Sequence, residues 1–198
     1  MVIHSTKTTI CVVPMGKVAE IVPKAIAANI LGYLHINTDI VSSLENPQYA
    51  FDESRIQYNA GEILKAFESM PFHNYEKVIG ILDLDLFVPI FSYVFGEARQ
   101  AGKYALVSLY RLQKNLDGST PSMSLFLERA AKVALHELGH LFNLIHCEDE
   151  NCLMHFSGGL QDLDNASFYF CRYCSTYFRD ALSIDRTKGK NTRPERDS

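Results

Sequence analysis

His136, His140 and His146 punctuate one short stretch, HELGHLFNLIH, and Cys147, Cys152, Cys171 and Cys174 follow in a 28-residue window. Both residue types bind zinc. A fold for this chain has to gather these side chains at one or two points, which restricts it more than any other feature. His136 and His140 are four apart, so on a helix they project from one face, one above the other, and can share an ion. Glu137 borders that face. This is the H-E-x-x-H arrangement, in which the glutamate serves as general base. His146 cannot join the pair on a straight helix. Ten residues on, it would stand about 80° away and about 15 Å further along the axis. The helix must therefore end between His140 and His146, and the chain must turn back. Asn143 is the residue there best able to take a positive φ.

The cysteines read C-x4-C-x18-C-x2-C. Four thiolates close a tetrahedral zinc site with no position left for water, which makes such a zinc structural. A redox pair or two buried thiols is the competing reading of Cys171 and Cys174 alone. Adjacent side chains can point apart, so His146 can face one metal and Cys147 another. That arrangement gives two zinc ions per chain, one catalytic and one structural, sharing a loop. A rival assignment of Cys147 to the histidine site leaves the second site one ligand short. Cys11, in the apolar run ICVV, reads as a small buried hydrophobe. His4, His35, His73 and His155 read as structural or surface residues.

The 198 residues are 47% hydrophobic, enough for one domain with a core. We expect that domain over 1–183 and a disordered, charge-dense tail over 184–198. The net charge of −4, from 19 basic and 23 acidic residues, does not suit nucleic acid. No run approaches the roughly 18 apolar residues of a membrane span, and the first residues carry no apolar signal core. The expectation is a monomeric cytoplasmic protein with no nucleic-acid or membrane partner.

Periodicity predicts a strand at Thr8–Val13 stopped by Pro14, a helix over Lys17–Leu31 with a break or kink at Pro23, and a strand within Tyr33–Ile40. A helix over Asn59–Ser69 opens on an Asn cap. Lys77–Leu82 reads as a buried strand and Phe87–Phe95 as irregular or edge structure. Tyr104–Leu112 reads as a strand and Met123–Leu144 as one long helix. Alternating strands and helices predict an α/β (α+β) fold on a mixed sheet.

HELGHLFNLIH resembles the metzincin motif H-E-x-x-H-x-x-G-x-x-H, with Asn143 in place of its glycine. Together with C-x4-C-x-M, where the Met is Met154, and the later C-x-x-C, it resembles the archaemetzincin family. The motifs cover His136–Cys174. Similarity extends more weakly upstream through LDLDLFVPIFSYVFGEA and VSLYRL. The resemblance implies a compact metzincin-like domain: a mixed twisted sheet, an active-site helix, a zinc-bound C-terminal subdomain and Met154 in a turn beneath the catalytic zinc. It implies a zinc metallopeptidase, endo- or aminopeptidase, acting on peptide or protein. Glu137 would take a proton from the attacking water. A strand within Phe95–Leu112 would pair with substrate. Tyr169 and Tyr173 are candidate oxyanion donors, with packing around the structural zinc as the competing role. Asp83, Asp85 and Glu97 are candidates to hold a substrate amine. The alternative function is a zinc-stabilised peptide-binding module with little or no turnover.

Overall fold

The computed structural model describes residues 9–188. Its frame is a five-stranded sheet of order β2-β1-β5-β9-β8: β1 (Thr9–Met15), β2 (Asn37–Ile40), β5 (Lys77–Leu82), β9 (Tyr104–Ser108) and β8 (Gly96–Ala98). The first four are parallel, and β8 closes one edge antiparallel to β9. The fold is the expected α/β type with a mixed sheet.

Both faces of this sheet are covered, so its central strands are apolar throughout. Ile10, Val12, Ile79, Ile81, Ala105 and Val107 face helices α1 (Ile21–Leu34) and α3 (Met123–Leu141). Cys11, Val13, Val78, Leu82 and Leu106 face helix α2 (Ala60–Phe67). Cys11 is fully buried, and desolvation followed by the charge of Asp39 pushes its thiol up to about 11. It is the inert core residue expected. A second sheet, β3-β4-β6-β7, flanks α2: β3 (Phe51–Asp52), β4 (Gln57–Asn59), β6 (Leu86–Val88) and β7 (Phe91–Val94). A short helix, α4 (Leu160–Asn165), and a longer one, α5 (Arg172–Lys188), complete the described residues.

Several boundaries differ from the sequence expectations. Pro14 lies inside β1, because the β2 ladder ends at Val12–Ile40 and the chain at Leu44 needs only the Pro14 carbonyl, which accepts from the Leu44 N–H, so the missing N–H breaks no ladder bond. Pro23 sits in the first turn of α1, where a missing N–H costs nothing, and neither kinks nor breaks it. That helix continues through Tyr33 and ends on His35 at φ 55°, which shortens β2. Phe87–Phe95, read as irregular or edge structure, does hold an edge strand: it contributes to the β6–β7 hairpin, with β7 at the edge of the second sheet and Ile90 at the exposed tip. Strand β9 ends at Ser108, and Tyr110–Gln113 forms a 3-10 turn. The Asn59 cap is as predicted: its carboxamide oxygen accepts from the N–H groups of Gly61 and Glu62. Helix α5 runs to Lys188, into the segment expected to be disordered, because its helical pattern outlasts the change in composition. Residues 189–198, and His4, lie outside the described residues. Among the described residues no helix is long and apolar enough to cross a membrane.

Candidate active site and metal centres

Helix α3 begins at Ser122, whose hydroxyl accepts from the Leu125 N–H, and is buried along most of its second half. It carries His136, Glu137 and His140 beside the sheet edge. The helix closes with the Asn143 N–H donating to the His140 carbonyl (2.9 Å) and the Leu144 N–H to Gly139 (3.0 Å). This paired pattern is a Schellman stop. Asn143 stands at φ 68°, as its place in the sequence predicted. Gln100 locks the turn, donating to Asn143 Oδ1 and to the Leu144 carbonyl.

The reversal brings His146 back to the pair. Ring centroids are 4.7 Å (His136–His140), 4.8 Å (His140–His146) and 5.3 Å (His136–His146). The ligand atoms of all three lie within 4.8 Å of one another. His136 Nδ1 meets the Leu153 carbonyl and His140 Nδ1 the Leu144 carbonyl, both at 2.8 Å. Carbonyls accept only, so each Nδ1 carries the proton and each Nε2 presents a lone pair. Those Nε2 atoms stand 3.1 Å apart with no proton between them. Two lone pairs at that distance repel unless a cation is shared. Burial, then the neighbouring His140, pushes His136 down to about 3. Burial also lowers His140 and His146. All three imidazoles are neutral at pH 7, the form that binds a metal.

Glu137 is 6% exposed. Burial, and secondarily the charge of Glu97, raises its carboxyl well above the usual range. Its side chain rests against β8 at Gly96, where a β-carbon would overlap the carboxylate. Gly139 plays the matching role on the other side, since a β-carbon there would collide with the fully buried Met154 sulfur. Met154 thus packs against the helix between the two histidines.

Cys147, Cys152, Cys171 and Cys174 form a second cluster, their sulfurs also within 4.8 Å of one another. No disulfide is present among them. Cys147 lies with the cysteines and not with the histidines. The N–H groups of Met154 and Cys171 point at Cys152 Sγ, and that of Cys174 at Cys171 Sγ. Such donors stabilise thiolates. Burial nevertheless holds Cys152 and Cys174 above the usual thiol range, while hydrogen bonds outweigh burial and lower Cys171. Held as thiolates, four sulfurs at this spacing would need a cation among them. The two clusters share the loop between His146 and Met154, where the Cys147 N–H donates to the Met154 carbonyl (2.8 Å).

The histidines and Glu137 open into a cavity of about 340 Å³ between β7–β8 and the segment 156–166, which includes α4. The lower wall is pinned to α3 by a two-pronged Arg129–Asp164 pair at 2.6 Å. Lys132, buried on the same helix, pairs with Glu128 at 2.9 Å and donates to the carbonyls of Leu163 and Asp164. The upper wall is β8. Phe95 accepts from the Ser108 N–H and Arg99 donates to Tyr104, so these residues point their peptide groups at β9. Antiparallel alternation then turns the peptide groups of Gly96 and Ala98 to the open edge.

Other sequence candidates lie elsewhere. Tyr169 and Tyr173 are 66% and 76% exposed and do not border the cavity. Tyr169 packs edge-on against Tyr33 (5.2 Å). Tyr93 borders the cavity instead, with its hydroxyl directed at the Gly158 carbonyl (3.5 Å). The alternation F-S-Y-V-F was the only signal for it. Asp85 is held by both prongs of Arg111 and by Gln57, and Asp83 by Gln113. Glu97 borders the cavity, but its register opposite Leu106 puts its side chain on the α2 face, while Gly96 and Ala98 face α3.

Three comparisons with known proteins agree with this picture. The model of peptidase family M54 matches residues 30–180. Archaemetzincin from Methanocaldococcus jannaschii is 34% identical over 171 residues, 86% of this chain and 93% of that protein. Archaemetzincin from Pyrococcus furiosus is 35% identical over 188 residues, 91% and 97% of the two chains. Among solved structures, archaemetzincin from Methanopyrus kandleri superposes with a TM-score of 0.79 at 31% identity, covering 92% of this chain and 99% of that one. A zinc-dependent peptidase from Methanocorpusculum labreanum gives 0.77 at 27% identity, covering 85% and 99%. On the strength of these matches over nearly its whole length, the chain belongs to peptidase family M54, the family of the archaemetzincins.

Proposed function

We propose that this chain is a zinc metallopeptidase that hydrolyses peptide bonds, with His136, His140 and His146 holding a catalytic zinc and the four cysteines a structural one. The carrying observation is the convergence of three neutral imidazoles beside a buried carboxylate in one open cavity. Three histidines leave one position of a tetrahedral zinc open, which is the pattern of catalytic sites. When bound, zinc is a Lewis acid that makes water a nucleophile near neutral pH and polarises a carbonyl. Glu137 takes the proton of the attacking water and delivers it to the leaving amine. Its place against Gly96 sets the carboxylate between the histidines and the substrate edge. The outward peptide groups of Gly96 and Ala98 hold an extended substrate by strand addition. Tyr93 is the nearer candidate for contact with the reacting carbonyl, in place of Tyr169 and Tyr173.

Among the described residues, the carboxylates that border the cavity are Glu137 and Glu97, and neither is arranged in a way that favours an aminopeptidase over an endopeptidase. The substrate is a peptide or protein. A cytoplasmic, monomeric enzyme remains the expectation, tested by fractionation and light scattering.

The test is cleavage of a diverse peptide library by zinc-loaded protein beside Glu137→Ala, read by mass spectrometry with metal content measured in parallel. Products with wild type alone, at two zinc ions in each protein, support the reading. Equal products from both remove Glu137 from the chemistry. No products from either, at full zinc, favour a binding role.

A further inference from the structure

The mechanism above makes no use of a pair of aromatic rings that cross the cleft. Phe91, on β7, and Phe156, two residues after Met154, lie 65 positions apart and meet with ring centroids at 5.8 Å. Phe156 also packs edge-on against His146 (5.1 Å). Both rings line the cavity of the histidine site, yet Phe91 is 42% and Phe156 45% exposed. Half-exposed phenylalanines beside a polar centre carry a hydrophobic cost that a bound apolar group relieves.

Neither ring is loosely held. Arg55 donates to the carbonyls of Phe91 and Ser92 and stacks on Phe87 at 4.1 Å, and Gln57 donates to the same Ser92 carbonyl. On the opposite wall, His155 meets the Cys147 carbonyl (3.0 Å), next to the cysteine cluster. The backbone beneath each ring is thus anchored, and two fixed aromatic surfaces can receive a side chain without ordering a loop.

Resting on the metallopeptidase reading, we infer that Phe91 and Phe156 form an aromatic clamp that selects substrates carrying a large apolar side chain next to the scissile bond. A chain lying along Gly96 and Ala98 passes this pair beside the histidines. A benzyl or isobutyl group there covers both exposed faces, whereas a small or charged group leaves them wet or loses its own hydration.

The probes are phenylalanine hydroxamate and glycine hydroxamate, which share a metal-chelating head and differ in the side chain. Binding is measured by calorimetry on zinc-loaded Glu137→Ala protein, so no turnover is needed. The benzyl compound should bind at least about tenfold tighter, the range expected for apolar side-chain selection. That ratio should fall to within about twofold in Phe91→Ala and in Phe156→Ala, each confirmed at full zinc. Phe156→Leu, apolar but without the ring, guards against loss of fold and should fall between. Equal binding of both probes, or a preference that survives both alanine variants, overturns the clamp. Binding of neither probe at full zinc means that the histidine-site metal has no position open to a ligand, and overturns the reading on which the clamp rests.

Discussion

Gly96 and Glu137 share one space: a β-carbon on the edge-strand glycine would occupy the volume of the helix-borne carboxylate. The backbone at 96 does not need glycine, for its φ is not positive. The requirement comes from the neighbour alone. Gly96→Ala should therefore fold and keep both zinc ions, but push the carboxylate aside. We expect kcat to fall about a hundredfold, as for a displacement of about 1 Å, with KM nearly unchanged. Steady-state kinetics with metal analysis checks this. A KM rise with constant kcat would instead mean that the added methyl disturbs the strand that pairs with substrate and leaves the carboxylate in place.

Asn143 at φ 68° tests how the third histidine is delivered. Asn143→Gly should change stability by only a few tenths of a kcal/mol, whereas Asn143→Val should cost about 1–2 kcal/mol, because a β-branched residue resists the left-handed region. Urea unfolding of both variants reads the difference. Equal stabilities would show that the turn relaxes to another conformation.

Cys171→Ser removes one ligand from the cysteine cluster, whose N–H donors are arranged around sulfur. Closed zinc sites contribute directly to folding. The variant should bind one zinc in place of two and melt well below the parent, with Phe142 and Phe178, packed at 4.9 Å, losing their contact. An unchanged melting temperature at one zinc per chain would show that the cluster is not structural.

The buried Glu137 predicts a stability gain on neutralisation when the histidine-site metal is gone. Its folded pKa is raised, so its contribution is fully present below the unfolded value near 4.5 and is lost as pH rises toward the folded value. With a chelator dose that leaves one zinc per chain, Glu137→Gln should be more stable than wild type at pH 7, and the gap should close below about pH 4.5. The histidines act with the opposite sense. His136 is held down to about 3, so stability in the same protein falls as pH drops below about 6.5. Thermal melts across pH 4–8 separate the two. A pH-independent gap would mean that the carboxyl is solvated.

What local chemistry decides was legible along the chain. The Asn59 cap, the apolar run of β5, the four-residue histidine spacing on α3 and the need for a positive φ at Asn143 each depend on residues within a turn or two. The cysteine spacing foretold a cluster separate from the histidines for the same reason, since adjacent side chains diverge.

What depends on the partner across a gap was not legible. Pro14 stays in its strand only because β2 ends early. Glu97 stands next to the catalytic wall in sequence, yet its pairing with Leu106 turns it to the other face, and only the β9 register decides that. Tyr93 borders the cavity, and Tyr169 and Tyr173 do not, because β7 is brought beside the histidine site by its pairing with β6. The meeting of Phe91 with Phe156, and of Gly96 with Glu137, is settled by packing between segments far apart in the chain. The sequence by itself determined which histidines and cysteines gather in two clusters and the turn that joins them; tertiary structure alone decided which surfaces close around them, because register and contact across a cleft are set by the whole core and not by neighbours in the chain.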